Sequence, residues 1–255
     1  MANRIIICVL FSALAAGNAA SAANPDVLYE RRNAVTVTAH ALQNIDACIA
    51  AYRELVEKEG SPENVFKYIK ALDFKYFSLA PGSGDKEAFE AALSMLDAYC
   101  AANPGCGELK HIRYLYMNMW GRYVDILDFS GRSHAVKIKE HGEWLRENAP
   151  EFENYAASLT LGRLHYRAPN IIFILTWPDK RKSREYLEEF LRHNPDSFAG
   201  RFFLADTLWA VNERGAAKGF YGAVMNEPPR GEYYFEDLRI KKDCKRRVAQ
   251  LGINY

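Results

Sequence analysis

The chain has 255 residues, of which 33 are basic and 32 acidic, and 49% are hydrophobic, with a formal net charge of +1. Near-neutrality excludes a global field for nucleic acid, and the length and apolar content suffice for one large core or a stacked array. Five cysteines are too few for a disulfide-stapled scaffold.

Residues 1–22 read as an export signal: Arg4, an apolar run from Ile5 to Gly17, and the small-residue site Ala20-Ser21-Ala22. The run is shorter than a bilayer span requires, so cleavage after Ala22 is expected to leave a periplasmic chain with no transmembrane segment. Cys8 lies inside the run without the context of a lipidated cysteine, and losing Arg4 brings the charges into balance. Residues 23–35 form an N-terminal extension, and 36–255 a single helical domain.

From Thr36 onward, apolar residues recur at helical spacing between short breaks of Gly, Pro, Asn or Asp. Leu42, Ile45, Ile49, Tyr52 and Val56 form one stripe, which ends at Gly60-Ser61-Pro62. Val65, Ile69, Leu72 and Tyr76 form the next, followed by Phe89, Leu93, Leu96 and Cys100, and then Leu109, Ile112, Tyr116, Met119 and Tyr123. Cys48, Cys100, Cys106 and Cys244 remain after cleavage and allow three connectivities. The turn Asn103-Pro104-Gly105 favours Cys100 with Cys106. The alternative is four small apolar core residues.

A repeat emerges towards the end of the chain. Ser183, Leu187, Phe190 and Pro195 match Ala217, Tyr221, Val224 and Pro229 at an offset of 34 residues, the tetratricopeptide period. Leu161-Gly162 with His165, and Leu204-Ala205 with Leu208, supply the other half-motif. Weaker copies lie upstream at Cys48/Tyr52/Gly60, Ala92/Leu96/Pro104 and Ile138/Leu145/Pro150. The expected fold is therefore all-α, a tetratricopeptide-like solenoid of helical hairpins. Its final segment, Glu232 to Leu251, reads as a capping helix with Leu238, Val248 and Leu251 inward and a basic outer face. A basic patch for anionic lipid or a partner is the alternative reading of that face.

Three interruptions fall between the first and second helices of repeats: Pro81–Gly84, Asp128–Ser133 and Arg167–Asp179. Insertions that share an edge of a solenoid often mark its binding face. The third is apolar, from Ile171 to Trp177, and would line a cleft there or cover the end of the core.

The run Leu161-Gly162-Arg163-Leu164-His165-Tyr166-Arg167-Ala168-Pro169, the loop ending Thr176-Trp177-Pro178-Asp179, and Ser197 to Ala205 resemble the T-component family of TRAP transporters. The similarity is best from about Ala157 to Pro229. It implies a periplasmic, all-helical partner of a solute-binding protein, with an internal channel for a hydrophobic or amphipathic ligand bordered by Asn170–Trp177. The lipoprotein members of that family carry a lipidated cysteine, which this chain lacks.

No catalytic constellation is found. His40, His111, His134, His141, His165 and His193 are scattered without a chelating spacing, Gly82-Ser83-Gly84-Asp85-Lys86 fails the phosphate-loop spacing, and no nucleophile elbow occurs. No cofactor, metal or nucleic acid is expected. Arg113, Arg122, Arg163, Arg167 and Arg201 fall in first helices, whose faces line the concave side, where they either grip a carboxylate or form a solvated, salt-bridged surface. The candidate ligand-binding residues are Arg163, Tyr166, Arg167, Ile171, Ile172, Phe173, Trp177 and Arg201.

Overall fold

The computed structural model describes residues 24–82, 84–127, 132–168 and 176–254, and among these it contains eleven α-helices and no strand. The expected export signal lies outside the described residues, as do Ile171, Ile172 and Phe173. The helices are α1 (Pro25–Glu30), α2 (Thr38–Glu59), α3 (Pro62–Asp73), α4 (Asp85–Ala102), α5 (Lys110–Leu127), α6 (Arg132–Asn148), α7 (Ala156–Arg167), α8 (Lys180–His193), α9 (Phe198–Ala210), α10 (Arg214–Asn226) and α11 (Tyr234–Gln250).

Local chemistry sets the breaks. Helix α2 stops at Gly60, whose φ of 57° is left-handed, and α3 restarts at once with Pro62 in its first turn and Ser61 accepting from the Asn64 N–H. Asp179 and Ser197 cap α8 and α9 in the same way. The disulfide Cys100–Cys106 forms across the Asn103-Pro104-Gly105 turn, with Cα atoms 5.4 Å apart, while Cys48 and Cys244 are buried free thiols.

Consecutive helices pack as neighbours, and alternate ones form an inner layer in which α3 meets α5, α5 meets α7, α7 meets α9 and α9 meets α11. This is the first-helix-to-first-helix packing of a tetratricopeptide-like solenoid, with α2, α4, α6, α8 and α10 as the outer layer. The repeat positions carry it: Ser183, Leu187, Phe190, Ala217, Tyr221 and Val224 are all buried. Gly162 explains its half-motif, because a Cβ there would lie 2.6 Å from Leu187 Cγ. The close approach lets Ser183 Oγ donate to the Gly162 carbonyl at 2.7 Å and pair with Thr207 Oγ1 at 2.9 Å, stitching α7, α8 and α9 together.

Helix α3 continues without a break into a π-helical segment, Phe74–Leu79, in which the Ala80 N–H bonds the Lys75 carbonyl. Wider turns re-phase the side chains. Phe74 and Leu79 are buried, whereas Tyr76, which a 3.6-residue period puts on the core stripe, is half-buried under Lys75.

Helix α11 caps the last repeat through Ile240, Cys244 and Val248, but it also reaches the start of the chain. Phe235 belongs to the N-terminal core, edge-on to Phe74 at 6.3 Å, and Arg239 Nη1 donates to the Phe77 carbonyl at 3.3 Å. The segment before α2 completes the closure. Asn33 donates to the Glu232 carbonyl and to Glu236 and accepts from the Phe235 N–H, while Arg32 pairs with Glu236 at 3.2 Å. Residues 24–35 are thus a built part of the domain, and the inner layer closes into a ring. Leu238 does not join the inward stripe: it is 39% exposed, because the buried face is set by positions 240, 244 and 248, and two residues back from 240 is a turn of some 200°.

Candidate functional site

Inner-layer helices run parallel, since the pairs linking them join corresponding halves. Arg122 bonds Asp73, Arg163 bonds Asp206, Arg167 lies 3.7 Å from Asp125, and Arg247 donates to Tyr166, all towards C-terminal ends. Those ends carry the partial negative charge of the helix dipoles, which the guanidinium groups offset. The sites of the three interruptions follow the same ends. Five helices in a ring at interaxial spacings of ~9 Å put each axis ~8 Å from the centre, so with a helix radius of ~5–6 Å the inner side chains face one another across a few ångströms.

One group of inner residues belongs to α1, α3, α5 and the loop before α7. Asp73 accepts from Arg122 Nε at 2.8 Å and Asn118 Nδ2 at 2.9 Å, and Lys70 pairs with Glu153 at 2.6 Å. The Arg122 guanidinium lies 3.4 Å from the centre of the Phe77 ring, with Arg239 of α11 5.1 Å from the same centre, so three elements meet at one aromatic. Tyr29 and Tyr114 are deeply surrounded, which raises both phenols above their ordinary range, yet both keep accessible surface, and neither hydroxyl has a hydrogen-bond partner among the described residues.

The second group centres on Asp206, which stands alone as an acid in the apolar helix Phe198–Ala210 and is only 2% exposed. Its Oδ2 accepts from Arg163 Nη1 at 2.8 Å. Its Oδ1 accepts from Arg247 Nε at 3.0 Å and from the Tyr221 hydroxyl at 2.7 Å. Burial, and after it the Asp206 charge, pushes the Tyr221 phenol up, so it remains a donor. Arg247 Nη2 donates to Tyr166 Oη at 2.9 Å, and Arg163 sits 4.3 Å from the Phe203 ring centre. Two guanidinium groups thus share one carboxylate.

Of the residues expected from sequence, Arg163 and Tyr166 fall in this cluster. Arg167, on the adjoining turn, is exposed beside Asp125. Arg201 does not join them: at the other end of α9 it bonds the Pro195 carbonyl, Asp196 and Glu227, holding the α8–α9 turn. Trp177 packs edge-on to His165 at 5.2 Å, with Lys139 5.7 Å from its ring, so its indole belongs to the core between α6, α7 and α8. Arg113 braces the Gly107 carbonyl and stacks over Trp144. His165 has the expected packing role. It is 2% exposed, its Nδ1 accepts from the Asp179 N–H, and burial lowers it to about 4.

Asp73, Asp206, Arg239, Arg247, Tyr29 and Tyr114 were not among the candidates. The signal for Asp206 was a lone acid on an apolar helix. The arginines of α11 looked like a solvated face, and nothing in the local pattern marks Tyr29.

Outside the ring, α8, α9 and α10 border a groove of about 470 Å³ with Leu191, Leu204, Leu208 and Phe220 among its lining and Arg184, Arg192, Glu188 and Glu213 around it. Among the described residues no helix is long and apolar enough to cross a membrane, and no group of three His, Cys, Asp or Glu side chains is placed to hold a metal ion. Compared with protein-family models and with curated proteins, the chain matches none.

Proposed function

We propose that this chain is a non-enzymatic periplasmic accessory protein of TRAP-type solute uptake, which holds an amphipathic ligand inside the ring of first helices and works beside a periplasmic solute-binding protein. The observation that carries the reading is the inner face itself. Aromatic rings (Tyr29, Phe77, Phe203) lie against arginines (Arg32, Arg122, Arg163) that keep accessible surface, a pairing suited to a ligand with both an apolar and a polar part. The resemblance of Ala157–Pro229 to the T-component family supports the transport context, and the Ala20-Ser21-Ala22 site supports export.

Native mass spectrometry of protein purified without detergent tests it. A retained small molecule that is extracted into organic solvent and rebinds the stripped protein is expected. A protein that carries nothing, and binds no member of a panel of long-chain acids, alcohols and amines, overturns the reading.

A second reading, an exported tetratricopeptide scaffold for protein partners, draws on the apolar groove between α8, α9 and α10. Loss of partner capture on Phe220→Asp, with ligand retention unchanged, would favour it.

A further inference from the structure

We infer that the Asp206 cluster is the polar end of the ligand site, and that the group it takes is a carboxylate. This rests on the amphipathic-ligand reading above and narrows it to an anion.

The case is one of unspent hydrogen-bonding capacity. A guanidinium has five N–H donors and no acceptor, and it stays charged at any relevant pH. Among the described residues, Arg163 donates one hydrogen bond, from Nη1, and Arg247 donates from Nε and Nη2. Nε and Nη2 of Arg163, and Nη1 of Arg247, are left without a protein acceptor there. Tyr166 Oη accepts from Arg247, and its own O–H has no acceptor among the described residues. The acceptor side is full by contrast, since both Asp206 oxygens are engaged, Oδ1 twice.

Charge points the same way. Two guanidinium groups share one carboxylate, a surplus that the helix C-terminal ends offset only in part, whereas Asp73 with Arg122, Glu153 with Lys70 and Glu236 with Arg32 are matched one to one. Asp206 is almost inaccessible at 3%, while the Arg163 and Arg247 side chains keep 22% and 30% of their surface. The carboxylate is the buried anchor and the guanidinium groups present the accessible edge. The partly accessible Phe203 ring lies 4.3 Å from the Arg163 guanidinium carbon, so an apolar surface adjoins the charge. An acceptor anion with an alkyl or aryl body satisfies all of these groups together. A carboxylate suits the forked donor geometry of arginine.

The experiment is calorimetric titration of the stripped protein with dodecanoate, dodecanol and acetate, repeated with Arg163→Gln and Arg163→Lys. Dodecanoate is expected to bind at least tenfold tighter than dodecanol. Arg163→Gln should erase that preference while the fold stands, because Asp206 keeps Arg247 and Tyr221. Arg163→Lys should restore part of it by restoring the charge. If wild type takes dodecanoate and dodecanol equally, the carboxylate assignment is wrong while the amphipathic reading stands. If it binds neither, both fail. Acetate binding as tightly as dodecanoate would show a site for the anion alone and overturn the assignment of an amphipathic carboxylate.

Discussion

Replacing Asp206 with Asn tests the inner face most directly, because it removes a charge and leaves the shape. In the wild type that carboxylate, 3% exposed, neutralises Arg163 and Arg247 and accepts the buried Tyr221 hydroxyl. An amide offers one acceptor where two oxygens stood and points an NH₂ at a donor. Breaking one partner of a buried ion pair costs about 3–5 kcal/mol. Both guanidinium groups are partly accessible and recover some hydration, so the lower end applies, about 3 kcal/mol with the loss at Tyr221 included. For a domain of this length that is a fall in Tm of about 6–12 °C. Urea unfolding followed by far-UV circular dichroism gives the same quantity independently. Arg163→Gln should cost only about 1 kcal/mol, since the carboxylate retains two of its three donors. If Asp206→Asn shifts stability by less than about 1 kcal/mol, the cluster is solvated rather than buried, and the reasoning about the inner face collapses with it.

Three further outcomes follow from other parts of the fold. Burial lowers His165 from its ordinary 6.5 to about 4, so between those values the unfolded chain binds a proton that the folded chain does not. Stability is then full above about pH 6.5 and declines as pH falls towards 4, by up to roughly 3 kcal/mol from this residue. His165→Gln should flatten the stability–pH slope in that window by close to one proton, and an unchanged slope would show the imidazole to be solvated. Gly162→Ala should destabilise by about 1–3 kcal/mol, because its Cβ would press on Leu187 and on the Ser183 carbonyl, whereas Gly121→Ala meets nothing within 4 Å and should stabilise α5 by about 0.5–1 kcal/mol. Thermal melts of the two variants should move in opposite directions. Reducing Cys100–Cys106, which closes a loop of sequence separation 6, should cost about 2 kcal/mol, while the native protein's Cys48 and Cys244 should resist alkylation.

Periodicity made the helices legible, and the small-residue and aromatic positions of the last two repeats made their pairing legible: Ser183, Leu187, Ala217 and Tyr221 are buried where the motif puts them. The Cys100–Cys106 turn was local and equally readable. What escaped was non-local. Arg247 and Asp206 lie 41 positions apart, and a charged α11 face looks the same whether it meets water or a partner carboxylate. The π segment escaped because its turns are wider than the period used to find stripes, which misplaced Tyr76 and hid Phe74. Leu238 was drawn inward by its apolar character alone, but the register of Ile240, Cys244 and Val248 decides the face. Arg201 looked equivalent to Arg163, since both are arginines on first helices; which end of the helix each occupies separates a turn brace from a lining residue.

The closure of α11 onto the start of the chain has a kinetic and cooperative cost. Stacked repeats ordinarily behave as a one-dimensional array whose ends fray independently. Here Arg32 and Glu236 are joined across 204 residues, so each end completes the other's core. The first segment made has no finished surface until the last helix arrives, and a contact of that span adds loop-closure entropy to the barrier and slows folding. In return, peeling one end exposes Phe74 and Phe235 together, and the domain should unfold as a unit rather than repeat by repeat. Hydrogen exchange of α1, the π segment and α11 should therefore share one opening free energy, although they sit at opposite ends of the sequence.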